Sequence, residues 1–338
     1  MDLVTGATSV AGAHLVCSLL NKGRQVRAIR ASYCNTEKTK KILSFYSSDA
    51  DTLFSEIEWI EADYKEADSL YAAFDDVDTV YNCLPLVTDR KRCSVASSID
   101  LNVDIIKNIL SVAQDCNVKY FCHLSNVEAL GSEPDFKEIT EQSQRNPKVN
   151  YSAYSQLQFR VENEVRRASF EGLPVGIINA GVILGPGFWN NGFPGLIHEI
   201  ARGLRFYADG ASAFVGVNDV VKAAQAMRKS NITGENFIVS SQNISFKELS
   251  GYIAKSLKVK VPSVKAGPFL LSVLKICSHI KQMFTGESGF ITSDIRNGVS
   301  SFKYYSNEKS LGRIIIDYQP IEQVVDEICK IYLNDKIK

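Results

Sequence analysis

An α/β fold built on a doubly wound parallel sheet follows from three observations. Short apolar runs alternate with longer stretches of helical periodicity through roughly the first 180 residues. The first apolar run enters a glycine-punctuated turn, Thr5-Gly6-Ala7-Thr8-Ser9-Val10-Ala11-Gly12, that opens directly into the first helical stretch. The chain has 338 residues of which 45% are apolar, enough to bury a large core without cross-links or a structural metal.

Taken in order, the strands are expected at residues 3–5, 25–29, 57–60, 79–82, 119–124 and 175–178, with helices at 14–20, 99–113 and 155–168. Past Gly181 the pattern loosens: Gly185-Pro186-Gly187, Asn190-Asn191-Gly192 and Ala208-Asp209-Gly210 break the chain into loops and short elements. A helical stretch at 220–228 and a strand at 236–239 return to the sheet, and helical patterning resumes to 321–332. The expected division is therefore interleaved. Residues 1–178 and approximately 212–242 form a dinucleotide-binding domain, while 179–211 and approximately 243–338 form a smaller, carboxyl-side substrate-binding region.

Charge and cysteine usage narrow the classes. Thirty-eight basic and 38 acidic residues balance to zero, which argues against a general nucleic-acid surface, and the basic cluster at 89–92 reads as a solvated loop. The eight cysteines include no CxxC pair and no zinc-ligand spacing, so they are expected to be reduced and the protein cytoplasmic. No basic, apolar leader follows Met1, and the apolar stretch at 267–277 is too short for a membrane span. Four scattered histidines, 14, 123, 198 and 279, give no metal centre.

The turn suggests a dinucleotide. Gly6 suits a tight turn, Gly12 allows close helix packing, and the amides around Thr8, Ser9 and Val10 can face a pyrophosphate. Arg30, at the end of the second strand, stands where an acidic residue would accept from the ribose of NAD; a guanidinium there suits the extra phosphate of NADP, with simple solvation of a strand end as the alternative. Asp63 is placed to accept from adenine or to serve as a surface carboxylate, and Asn82 and Leu84 to line the cofactor cleft or to pack the sheet.

These residues, with Asn102-Val103, the run from His123 to Gly131, Tyr154 to Glu162 and the passage from Val182 to Gly187, resemble the extended short-chain dehydrogenase/reductase family. The likeness is to its dihydroflavonol-reductase-like, hydroxysteroid-dehydrogenase-like and NAD-dependent epimerase/dehydratase-like members, and it extends to Tyr318-Gln319-Pro320-Ile321. It implies a Rossmann-type domain, a nicotinamide cofactor and a tyrosine that exchanges a proton with a carbonyl or alcohol. Tyr154 matches that tyrosine, since Gln158 and Glu162 follow at the family's spacing; Tyr151 does not, because Ser155 and Phe159 follow it. Three positions depart from the family pattern: Gln158 replaces its lysine, Asn126 its serine or threonine, and Ser9 its middle glycine.

Gln158 can donate a hydrogen bond that orients the cofactor ribose or Tyr154 but carries no charge to stabilise a phenolate, so carbonyl reduction by neutral Tyr154 is favoured over alcohol oxidation. Asn126 is the expected donor to the reacting oxygen, with Ser125 second because neighbouring strand residues point to opposite faces. Ser9 either crowds the pyrophosphate or bonds it. Asn179, Phe188 and Trp189 are the candidate substrate contacts, with Phe193, Phe206 and Tyr207 as further walls and interdomain packing as the alternative. The expected function is NADP-dependent reduction of a moderate to large aldehyde or ketone. A catalytically degenerate protein kept for dinucleotide sensing or interaction, and a nucleotide-sugar epimerase or dehydratase, are the competing readings. The resemblance also implies a homodimer.

Overall fold

The computed structural model describes residues 1–32, 34–86, 95–133, 137–190, 192–266, 302–314 and 317–337. The basic cluster at 89–92, the apolar stretch at 267–277, Cys93, Cys277 and His279 lie outside them.

Seven parallel strands form the main sheet: β1 (Asp2–Thr5), β2 (Val26–Arg30), β3 (Ile57–Glu61), β4 (Thr79–Asn82), β5 (Tyr120–Asn126), β6 (Val175–Ala180) and β10 (Glu235–Val239). Their order is β10-β6-β5-β4-β1-β2-β3, so the winding reverses between β1 and β4. Both faces are apolar, as a sheet covered on both sides requires. Leu3, Val80 and Phe121 are register neighbours in the core on one face, while Val4, Tyr81 and Cys122 are their counterparts on the other. Helices α4 (Ala67–Phe74), α5 (Val95–Asp115) and α6 (Ala153–Phe170) enclose the first face. Helices α1 (Val10–Leu20) and α8 (Val217–Lys229) pack on the second.

Between these helices run α2 (Glu37–Leu43) and α3 (Ala50–Ser55), which the sequence pattern did not announce because each is about two turns or shorter. Helix α1 begins at Val10, four residues earlier than its apolar pattern, because Ser9 caps it. After β6 the chain leaves the main sheet through β7 (Val182–Leu184), α7 (Gly192–Ala201) and β8 (Phe206–Tyr207). Strand β9 (Ala211–Gly216) pairs parallel with β7 and antiparallel with β11 (Gln242–Ser245) in a three-stranded sheet, whereas α8 and β10 return to the large one. Helix α9 (Phe246–Leu257), β12 (Val264–Lys265), α10 (Glu308–Arg313) and α11 (Ile321–Ile337) complete the described chain. Residues of β9, α7, α9 and α11 share a separate apolar core that includes Phe214, Ile253 and Val325.

Parallel pairing brings the carboxyl ends of all seven strands to one edge, and the glycine turn leaves β1 there. Gly6 has φ +68°, and a Cβ at that position would lie 2.4 Å from the Cys83 carbonyl oxygen at the end of β4. Gly23 has a similar φ of +69° with nothing within 4 Å. Gly6→Ala is therefore expected to destabilise the protein by about 2–4 kcal/mol in urea unfolding, against roughly 1 kcal/mol for Gly23→Ala. Equal losses in the two variants would remove the close approach to Cys83 as a constraint.

Candidate active site

The turn is stitched to the neighbouring strands. The Ser9 amide donates to the Gly6 carbonyl at 2.9 Å, while its hydroxyl accepts from the Gly12 amide at 3.0 Å and lies 3.2 Å from the Cys83 carbonyl, to which it donates. This hydroxyl caps α1. A Cβ at Gly12 would lie 2.2 Å from the Gly6 carbonyl oxygen, so this close packing also requires glycine. Thr8 and Val10 are half-buried on the same turn. Val10 lies against the strand-following loop, its methyl carbons 3.0 and 3.1 Å from where Cβ atoms of Gly185 and Gly187 would be. Leu84 backs directly on Gly6, its Cα 2.6 Å from that residue's hypothetical Cβ. A glycine turn feeding a helix amino end is a fitting cradle for a pyrophosphate.

At the end of β2, Arg30 is exposed and its Nη2 lies 2.6 Å from Glu61 Oε2 on the neighbouring strand. Asp63 is an exposed loop carboxylate, its Oδ1 accepting from the Lys65 amide at 3.0 Å. Asn82 is almost wholly buried. Its Oδ1 accepts from Thr5 Oγ1 at 2.6 Å and from the Leu84 amide at 3.4 Å, and its Nδ2 meets His123 Nδ1 at 3.0 Å. The Asn82 side chain thus belongs to a lateral polar row across β1, β4 and β5. With Oδ1 fixed as acceptor by the Leu84 amide, Asn82 donates to Nδ1 and the His123 proton sits on Nε2, a buried atom with no hydrogen-bond partner among the described residues. Burial lowers the His123 pKa to about 4.

Helix α6 carries Tyr154, Gln158 and Glu162 along one stripe. Ser152 caps it, accepting from the Ser155 amide at 3.1 Å, and sets Tyr154 in the first turn. Gln158, one turn later, donates from Nε2 to Tyr154 Oη at 2.8 Å. Glu162 follows at the next turn, 3% exposed. Its Oε2 accepts from Ser125 at 2.6 Å and from Asn179 Nδ2 at 2.5 Å, and its Oε1 accepts from Arg166 Nη2 at 2.6 Å. Asn179 in turn accepts from Asn236 Nδ2 at 2.8 Å. Ser125 and Asn179 both donate to this buried carboxylate. Asn126 ends β5, its Oδ1 accepting from the Glu128 amide at 2.9 Å as the cap of the short 3-10 turn Val127–Ala129.

Arg145, which the sequence pattern gave no reason to select, joins the Asn126 and Tyr154 segments. Its Nη1 donates to Ser155 Oγ at 3.1 Å and to the Ala129 and Ser155 carbonyls at 3.4 Å. The guanidinium lies between the Tyr151 and Phe159 rings, 3.6 and 4.6 Å from their centroids. Tyr151 is thereby occupied, its hydroxyl also accepting from the Asn146 amide at 2.9 Å.

Trp189 donates from Nε1 to Asp335 Oδ2 at 2.8 Å and packs its ring on Phe45 and Tyr332, 6.1 and 5.0 Å between centroids. It joins the turn after α2 to α11. Phe188 is half-buried with Lys38 Nζ 5.6 Å from its ring centre. Phe193 packs in the core of the small sheet, and Phe206 and Tyr207 form β8. Among the described residues no three His, Cys, Asp or Glu side chains cluster as a metal site, and no helix is long and apolar enough to cross a membrane.

Two outcomes follow from these burials. Glu162→Ala strands the Ser125 and Asn179 donors and is expected to cost about 2–4 kcal/mol in urea unfolding, against under about 1 kcal/mol for Glu322→Ala at an exposed pair on α11. His123 stays neutral in the fold, down to about pH 4, but its unfolded form charges near 6.5, so its contribution is complete above about pH 6.5 and drains away as pH falls toward 4. Unfolding midpoints measured from pH 7.5 to 4.5 should fall less steeply in His123→Gln than in the parent; parallel curves would contradict the assignment.

A sequence profile of the NAD-dependent epimerase/dehydratase family matches residues 3–240. Sterol demethylase protein B of Methylococcus capsulatus is 25% identical over 271 residues, covering 80% of this chain and 78% of that protein. A Synechocystis protein with a provisional dihydroflavonol 4-reductase name is 23% identical over 267 residues, covering 77% and 73%. Among solved structures, the dTDP-glucose 4,6-dehydratase of Streptomyces venezuelae, with NAD bound, superposes with a TM-score of 0.76 at 18% identity, covering 99% of this chain and 97% of that one. Sheet order, glycine turn and profile agree, and the chain belongs to the NAD-dependent epimerase/dehydratase family of Rossmann-fold proteins that use a nicotinamide dinucleotide.

Proposed function

We propose that the protein reduces a moderate to large aldehyde or ketone with NADPH. The observation that carries this reading is the 2.8 Å hydrogen bond from Gln158 Nε2 to Tyr154 Oη. An amide donor orients the phenol and engages an oxygen lone pair. It brings no positive charge, so the phenolate is less stabilised than beside an ammonium, and Tyr154 works best as an acid.

When bound, NADPH would supply the hydride for the carbonyl carbon. Tyr154 gives its proton to the carbonyl oxygen, and Asn126 Nδ2 donates to the same oxygen as charge develops, its Oδ1 being held by the Glu128 amide. Arg145 keeps the two segments together, and Glu162 holds β5 and β6 against α6 below them. Gly6, Val10 and Gly12 line the pyrophosphate side of the cofactor, and Arg30 serves its 2′-phosphate. A nucleotide-sugar epimerase or dehydratase cycle fits the family, but its transient alcohol oxidation asks for the phenolate that Gln158 supports poorly.

Carbonyl-dependent NADPH oxidation across a panel of aliphatic and aromatic aldehydes and ketones tests the reading. Tyr154→Phe is expected to lower the rate about 10²–10⁴-fold with NADPH affinity retained. Gln158→Lys is expected to raise alcohol oxidation at neutral pH relative to reduction, because it installs the missing charge. Saturable NADPH binding with no turnover of any carbonyl would overturn it in favour of dinucleotide sensing.

A further inference from the structure

Two opposite charges stand together where a dinucleotide's adenosine ribose is expected. Arg30 and Glu61 are register partners at the last positions of β2 and β3, with Nη2 and Oε2 2.6 Å apart. Their side chains are 47% and 61% exposed, so the pair is screened and readily exchanged. The loop after β3 is fastened to the glycine turn, because the Gly6 amide donates to Tyr64 Oη at 3.4 Å and Asn108 Nδ2 donates to the Tyr64 carbonyl at 3.1 Å. The pair therefore sits beside the cradle, at the strand ends over which the ribose lies.

A 2′-phosphate at that place calls for a cation, and a free 2′-hydroxyl calls for an acidic acceptor. The chain offers one of each, bonded to the other. We propose that Glu61 is a specificity-determining residue that lets one site accept both NADP and NAD. With NADP, Arg30 exchanges Glu61 for the 2′-phosphate, and that exchange costs the Arg30–Glu61 bond. With NAD, Glu61 accepts from the ribose hydroxyl while Arg30 stays paired to it. This inference rests on the dinucleotide reading of the turn, not on the carbonyl chemistry.

Fluorescence titrations of the full chain with NADPH and NADH, for the parent, Glu61→Gln, Arg30→Gln and the double variant, test it without any substrate. The parent is expected to bind both within about tenfold of each other. Glu61→Gln should tighten NADPH and weaken NADH, raising the preference for NADPH by about fivefold or more. Arg30→Gln should weaken NADPH, and in that background Glu61→Gln should give no gain in NADPH affinity. An unchanged preference in Glu61→Gln, or the same NADPH gain without Arg30, overturns the role of Glu61 while leaving a dinucleotide site standing. Saturable binding of neither cofactor to the parent overturns the dinucleotide reading, and this inference with it.

Discussion

The buried carboxylate of Glu162 is the constraint on which the arrangement above it depends. A charge in a sheet-helix interface is tolerated only with its oxygens supplied with donors, and here those come from β5, β6 and the next turn of α6. Satisfying it fixes the height and rotation of α6 against both strands. Tyr154 and Gln158 lie two turns and one turn earlier on the same helical stripe, so their position follows from that buried group. Asn236, which donates to Asn179, extends the same network to the edge strand β10.

The main sheet carries two tiers of buried polar side chains on one face. Thr5, Asn82 and His123 form the lower tier across β1, β4 and β5, and Ser125 and Asn179 the upper across β5 and β6. Elsewhere the same face is filled by Leu3, Val80 and Phe121. Polar rows of this kind are costly unless closed, and each is closed except at His123 Nε2. They stiffen the strand ends from which the cofactor turn, the Asn126 cap and the loop after β6 all depart.

Much of this was legible in the chain order. The alternation of patterns specified the parallel sheet, and Gly6 and Gly12 specified the turn because both are positions where a Cβ has no room. The four-residue spacing of Tyr154, Gln158 and Glu162 specified a helical stripe, and with it the bond from Gln158 to Tyr154. What a linear pattern does not carry is the partner of a polar side chain. Residue type places Ser9, Ser125, Asn82 and Asn179 near a site, but not that each also bonds a neighbour from another element. Arg145 shows the reverse: a loop arginine with no local motif becomes a structural centre because Tyr151, Phe159 and the turn after β5 converge on it.

The Trp189 join bears on how the chain reaches this state. Asp335 near the end of α11 accepts from Trp189 and also pairs with Lys41 on α2, so one carboxylate closes contacts with residues 146 and 294 positions earlier. Such closures are entropically late, since the intervening chain must be collected before either contact returns any energy. During synthesis the sheet strands up to β6 are made before α11 exists, leaving Trp189 and the outer side of α2 without their final partner until residues 321–337 emerge. The seam between α2 and α11 thus closes only once residues 321–337 are available to supply Asp335 and Tyr332.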